Sequence, residues 1–448
     1  MEPVTAVLAE LVERHRADTA GDVARYIPEL ARADPHAFGL AMVSVQGHAY
    51  QAGDASAAFT IQSVSKPFVY SLALSELGLA EVARRVGFEP SGEPFNAISL
   101  EAGTGRPANP LINAGAIVTT ALIGGDREAA FERIRDTLSG FAGRRLTVDE
   151  DVYRSEAATG DRNRALAYLT LSQGVLERPA QQACDVYFRQ CAIEVTAVDL
   201  AVMGATLANG GRNPVTGRSV VDADAASATL SVMATCGMYD HSGEWMLRVG
   251  LPAKSGVGGG VCAVSPGQFG VGVFSPPLDP RGNSVRASAV LRELSAELGL
   301  HVLRRTERAR SPLQAVRTDH GAHHLELLGD LGFAAAEEIV HRVRRLARDQ
   351  PRPLVTVDLS HVTAVRPIAR RLLADCAAGL RARTTVRFVD PAGLVRGPSA
   401  DTPRSTPRST ASRESEPESE SEPGSESATT VTTSSAVPDG SRLSGSKP

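Results

Sequence analysis

Aromatic side chains are scarce in this 448-residue chain, at 4% of residues, so the apolar mass of any core must come from Ala, Leu and Val. At 42% hydrophobic residues there is enough of it for two or three domains. Cysteines are few and odd in number: Cys184, Cys191, Cys236, Cys262 and Cys376, with no C-x-x-C spacing. That excludes a disulfide framework and fits reduced residues in a cytoplasmic protein. No apolar run reaches the length of a bilayer span. Met1-Glu2-Pro3-Val4-Thr5 lacks the basic and apolar regions of a signal peptide, so export is not expected. There is no H-E-x-x-H, and the ten histidines make no ligand pattern, so neither a metal nor a cofactor is expected. A net charge of −4 gives no electrostatic basis for nucleic-acid binding, and no membrane contact is expected.

What is present begins with Ser63-Val-Ser-Lys66, an S-x-x-K stretch behind the apolar run Ala58-Phe59-Thr60-Ile61. A serine hydroxyl is a poor nucleophile without a base in hydrogen-bond reach. Positions i and i+3 share a helix face, which sets Lys66 over Ser63. Burial or a second cation lowers a lysine pKa and frees its lone pair. The same pattern recurs at Ser444-Gly-Ser-Lys447 in a polar tail, where nothing supports chemistry. A second element, Lys254-Ser255-Gly256, has the K-[ST]-G form that accompanies S-x-x-K in penicillin-recognising enzymes. Lys254 is expected to keep the site electropositive and Lys66 neutral. The glycines that follow permit close backbone approach, and a strand-edge amide there could join the Ser63 amide in an oxyanion hole.

The patterning divides the chain. Val7, Leu8, Leu11 and Val12 form a helical stripe, and Pro28 starts a new turn. Residues 38–45 and the run after Gly47 read as a β-hairpin. Residues 63–235 are mostly helical. Strands return at 261–264 and 269–274 across the turn Ser265-Pro266-Gly267-Gln268, and 285–298 is helical. One sheet built from both ends of this region, with a helical lobe inserted, is the expected α/β (α+β) architecture. Residues 304–319 read as a basic linker. Strand and helix then alternate over 320–395: strands at 324–328, 354–359 and 386–389, helices at 334–346 and 368–380. Residues 396–448 are rich in Ser, Pro and Glu and are expected to be disordered.

Longer strings carry a specific resemblance. Gly21-Asp-Val-Ala-Arg-Tyr26-Ile-Pro-Glu-Leu30, Phe59-Thr-Ile-Gln-Ser63-Val-Ser-Lys66 and Asn109-Pro-Leu-Ile-Asn113-Ala-Gly-Ala-Ile117 occur in order. So do Ser155-Glu156, Thr159-Gly-Asp-Arg-Asn163, Cys236-Gly-Met-Tyr239-Asp240 and Gly250-Leu-Pro-Ala-Lys254-Ser-Gly-Val257. Together they resemble the serine-dependent glutaminase family, with its β-lactamase-like fold, over residues 1–303. The resemblance implies hydrolysis of L-glutamine to L-glutamate and ammonia through a γ-glutamyl ester on Ser63. It makes Ser63 the nucleophile, Lys66 its partner base and Tyr239 a third catalytic residue. Tyr26, Asn113, Glu156, Asn163 and Tyr187 then hold substrate along with Ser63 and Tyr239, and the Val257 amide faces the substrate carbonyl. Which of Lys66 and Tyr239 takes the first proton stays open. Family likeness also implies a homo-oligomer, dimer or tetramer. Cys184, Cys191 and His241 are read as structural.

His324-Leu-Glu-Leu-Leu-Gly-Asp-Leu-Gly-Phe333 and Val355-Thr-Val-Asp358-Leu-Ser360-His-Val362-Thr-Ala-Val365 resemble a STAS domain, over residues 320–395. Where its phosphorylated members carry a hydroxyl, this chain has Arg366 and Pro367, which favours a dimerisation or stabilising role with an unknown partner. Two other readings are a penicillin-binding or β-lactamase-type acyl-serine hydrolase, and a non-catalytic regulator built on the second domain. The first predicts export and leaves the glutamine-pocket strings unexplained; the second predicts a damaged site, whereas Ser63, Lys66, Tyr239 and Lys254 are all present.

Overall fold

A computed structural model describes residues 3–92, 100–304, 311–319 and 321–395. The chain forms two compact units, Met1–Arg308 and Ala309–Pro448.

The first unit is built on a five-stranded antiparallel sheet. Its strands run Ala49–Gly53, Gly39–Ser44, Phe269–Phe274, Gly260–Ser265 and Ala253–Ser255 in spatial order. Two come from the N-terminal part of the chain and three from beyond residue 250, which is the arrangement expected from the patterning. Strands Gly39–Ser44 and Gly260–Ser265 are buried along their whole length and Phe269–Phe274 along all but its first residue, because helices cover both faces. On one face Leu8, Leu11 and Val12 of helix Pro3–Arg16 and Val290, Leu291 and Leu294 of helix Val285–Glu297 meet Leu40, Met42, Val261 and Val271. On the other lies helix Ala197–Ala208, started by a Thr196/Asp199 capping box. Its backbone comes so close that a Cβ on Gly270 or Gly272 would lie 2.0 Å from backbone atoms of that helix. The helices between residues 66 and 236 enclose a separate core around Phe68, Phe131, Phe141 and Met203.

The second unit is a four-stranded sheet in the order Thr385–Val389, Leu354–Val365, Ala322–Leu331, Leu313–Thr318. The first three are parallel and the last antiparallel. The parallel strands are joined through helices Phe333–Asp349 and Pro367–Leu380, as parallel pairing requires. Leu325, Leu327, Ile339, Val343, Val355, Val357 and Leu373 form its core.

The expected linker over 304–319 is corrected: Leu313–Thr318 is an edge strand paired with Ala322–Leu331. A register shift between Leu313 and Ala315 breaks the period-two pattern that would have announced it. Strand Leu354–Val365 also outruns the expected 354–359, through irregularities at Asp358/His361 and Val362/Ala364. The expectation for residues 396–448 lies outside the described residues. Among the described residues, no helix is long and apolar enough to cross a membrane.

Candidate active site

Ser63 sits on a single 3-10 turn, Gln62–Ser65, and helix Lys66–Leu77 begins directly after it. The approach to the turn is fixed by the two-residue ribbon between Phe59–Thr60 and Glu194–Val195. Gln62 has φ 49°, a left-handed conformation that costs a non-glycine residue about 1–3 kcal/mol. A buried chain of hydrogen bonds holds it there. The Ser65 hydroxyl donates to the Gln62 carbonyl at 2.7 Å, Gln190 Nε2 donates to Ser65 Oγ at 2.9 Å, and Thr120 donates to Gln190 Oε1 at 2.9 Å. The Ser63 turn is thus pinned from below by three side chains.

Lys66 is 1% exposed. Its Nζ donates to Asn113 Oδ1 at 2.6 Å and to the Leu111 carbonyl at 3.3 Å. That carbonyl is positioned by an Asn109 turn, whose Oδ1 accepts from the amides of Leu111 and Ile112. Gly115 lets the turn close up, since a Cβ there would be 1.9 Å from the Asn109 carbonyl oxygen. Burial pushes the Lys66 pKa down from 10.5 to about 7. Lys254, on the edge strand Ala253–Ser255, is fully buried and also held well below the usual lysine range, by burial first and Lys66 second. Burial is thus the leading cause that lowers both lysines, and the two charges oppose each other. Lys254 Nζ donates to the Ser255 carbonyl at 2.6 Å and lies 3.8 Å from the centre of the Tyr239 ring.

Tyr239 is the second non-glycine residue with positive φ, at 57°. It opens a 3-10 turn whose carbonyl accepts from Ser242 Oγ at 2.8 Å. The turn is pressed on the edge strand, for a Cβ on the preceding Gly237 would fall 1.7 Å from the Ala253 carbonyl oxygen. Burial raises the Tyr239 pKa, and a hydrogen bond with Ser63 works against that rise. The Lys66 Nζ is 6.0 Å from its ring centre. Ser63, Lys66, Tyr239 and Lys254, spread over nearly 200 residues of sequence, thus converge on one point.

The remaining expected residues surround it. Glu156, on helix Glu150–Thr159, is 6% exposed and accepts from the Tyr26 hydroxyl at 2.7 Å. Burial raises its pKa, and hydrogen bonds from Tyr26 and Gln62 oppose this. It has no cationic partner among the described residues. Asn163, on the next helix, accepts from Asn113 Nδ2 at 2.9 Å, which links it to Lys66. Gly160 allows the two helices to meet under Phe188, where a Cβ would lie 2.2 Å from the ring. Tyr187 is buried on helix Ala180–Cys191 and hydrogen-bonds Cys191. Val257 is partly buried against Ile27, Leu30 and Val152, next to the segments that carry Tyr26 and Glu156. Its amide makes no hydrogen bond among the described residues.

Two residues of the site were not singled out from the sequence. Gln62 bridges Thr60, Tyr26 and Glu156. Its place directly before Ser63 was a usable signal, but its backbone strain was not readable. Cys191, read as structural, lies buried in the site and hydrogen-bonds Tyr187, and burial pushes its thiol up to about 12. Its i+4 spacing from Tyr187 puts both on one helix face.

The model of the glutaminase family matches residues 21–303. Glutaminase 1 of Bradyrhizobium diazoefficiens is 48% identical over 396 residues, 83% of this chain and 64% of that protein. The glutaminase of Corynebacterium glutamicum is 43% identical over 393 residues, covering 87% of this chain and 94% of the relative. The chain thus spans less than two thirds of the Bradyrhizobium relative and nearly all of the Corynebacterium one. The crystal structure of Mglu in its glutamate form is similar with a TM-score of 0.79 at 38% identity, over 88% of this chain and 100% of that one. With that match across the site-bearing residues, the chain belongs to the glutaminase family.

Proposed function

We propose that this protein hydrolyses L-glutamine to L-glutamate and ammonia through a γ-glutamyl ester on Ser63. The observation that carries the reading is a buried carboxylate, Glu156, without a cationic partner among the described residues, in the same cluster as Ser63 and two buried lysines whose pKa values burial lowers. A free amino acid substrate supplies the missing cation in its α-ammonium group. Asn113, Asn163, Tyr26 and Tyr187 are hydrogen-bonding groups without added charge, suited to the rest of the zwitterion. The glutamate form of Mglu and the glutaminase relatives support the same substrate class.

The chemistry follows from the donor set. A neutral lysine amine has two N–H groups, and the two acceptors Leu111 O and Asn113 Oδ1 match them. The lone pair is then free to take the Ser63 proton as Oγ attacks the side-chain carboxamide. The unengaged amide of Val257 and the amide of Ser63 are the donors for the tetrahedral oxyanion. The C–N bond breaks as the leaving nitrogen is protonated, with Tyr239 and Lys66 as the groups in place, and ammonia departs. Water, activated by the same base, then cleaves the ester to glutamate.

The catalytic domain is assigned to residues 1–303, in a β-lactamase-like arrangement, and residues 311–395 to a STAS-like module. A cytoplasmic homo-oligomer that needs no cofactor completes the reading. Purified protein should release ammonia from L-glutamine, and Ser63→Ala should stop it. Acylation by a labelled penicillin with no action on glutamine would instead support a penicillin-recognising enzyme.

A further inference from the structure

The second unit carries a cationic cleft that the proposed reaction does not use. Helix Phe333–Asp349 exposes His341, Arg344, Arg345 and Arg348 at i, i+3, i+4 and i+7, the spacing of one helix face. With Arg383, beyond helix Pro367–Leu380, they line a cleft of about 500 Å³. Among the described residues, the one acid in contact with them is Asp349, 2.7 Å from Arg348 and 3.6 Å from Arg345. Arg344 and Arg383 have no acidic partner among the described residues. Four guanidinium groups around one depression repel each other, and an anionic occupant relieves that repulsion.

The chain itself contains a matching anion. Glu414, Glu416, Glu418, Glu420, Glu422 and Glu426 lie within residues 414–426, a stretch without Lys or Arg. Pro417 and Pro423 disfavour a helix interior there. In an extended segment, alternate side chains share a face and repeat about every 6.5 Å. Arg348 lies one turn, about 5 Å, beyond Arg344 and Arg345 along the helix axis, so two neighbouring glutamates of one face can reach both ends of this group. The described chain ends beside the helix that leads to the cleft, where Arg370 Nε donates to the Leu394 carbonyl at 2.9 Å. Arg370 is nine residues before Gly379 in that helix, about 14 Å along its axis. The eighteen residues from 396 to 413 can span up to about 60 Å, several times what is needed.

We propose that the Arg344/Arg345/Arg348/Arg383 cleft binds the acidic segment Glu414–Glu426 of the same chain. Tethering makes the contact intramolecular, and carboxylate–guanidinium pairs at an exposed cleft make it sensitive to salt.

Zero-length carbodiimide cross-linking of the full chain tests this. Arg344→Lys and Arg383→Lys keep the charge and introduce amines at exposed positions. At low salt, mass spectrometry should find amide bonds from positions 344 or 383 to carboxylates in 414–426. Their yield should drop about tenfold at 1 M salt, where the screening length is about 3 Å. Changing the six glutamates to Gln should abolish them. In a mixture of isotopically light and heavy chains, the links should join chains of one isotope. Links joining light to heavy chains would overturn the intramolecular claim. Absence of links at low salt, or links that ignore salt, would overturn the docking itself, as would a cleft that takes inorganic phosphate equally well with and without the tail glutamates.

Discussion

In the proposed reaction, Lys66 is where burial is turned into reactivity. A lysine with an ordinary pKa of 10.5 is protonated at neutral pH and cannot accept the serine proton; at about 7 it is half neutral there. The sign follows directly. Below about pH 7 the folded enzyme holds a proton on Lys66 and loses its base, so kcat/KM for glutamine should fall tenfold per pH unit and level off above that value. Lys66→Arg, which cannot deprotonate, should remove the titration along with the activity. A profile flat from pH 5 to 8 would exclude Lys66 as the base. Between about 7 and 10.5 the folded state binds fewer protons than the unfolded one at this position, so its contribution to stability rises with pH across that window. Glu156 gives a second prediction. Replacing it with Gln removes the anionic partner of the α-ammonium, at a cost of about 3 kcal/mol, or roughly 100-fold in kcat/KM. Most of that change should appear in KM, and N-acetylglutamine should lose no further ground to glutamine in the variant. An unchanged KM in steady-state kinetics would sink this assignment.

At the scale of elements, the site depends on glycines that let backbones touch. Gly115→Ala would drive a Cβ into the Asn109 carbonyl and displace the turn that presents Leu111 to Lys66. It should cost about 2–3 kcal/mol and lower kcat more than it raises KM, measured by thermal melts and kinetics. Gly272→Ala, which meets the Ala197 carbonyl oxygen at 2.0 Å, should lower the melting temperature as much but separates the sheet from its helix rather than disturbing the base. These close approaches explain what could and could not be read in advance. The hairpin, the late strands and the helices around Ser63 were legible because their apolar periods are regular. That Ser63, Lys66 and Lys254 belong together was legible because the proposed nucleophile and base need particular residue types at particular spacing. Edge strand Leu313–Thr318 was not, because its register shift scrambles the alternation. Gln62 was not, because its part rests on a strained φ that residue spacing does not announce.

At the scale of the molecule, catalysis and the second unit are separable in this reading. All the proposed site residues lie within Met1–Arg308. A chain ending at residue 303 should therefore keep ammonia release from glutamine within a few-fold of the full chain, as measured by a coupled glutamate assay. A folded but inactive truncation would make the second unit part of the machinery. The proposed reaction makes a covalent bond on one atom, so the most direct measurement is rapid-quench mass spectrometry of the full chain during turnover of L-glutamine. A γ-glutamyl ester should appear on the peptide containing Ser63, decay as glutamate forms, and be missing in Ser63→Ala. Steady ammonia release with Ser63 unmodified, or undiminished in the alanine variant, would contradict an acyl-enzyme at this serine.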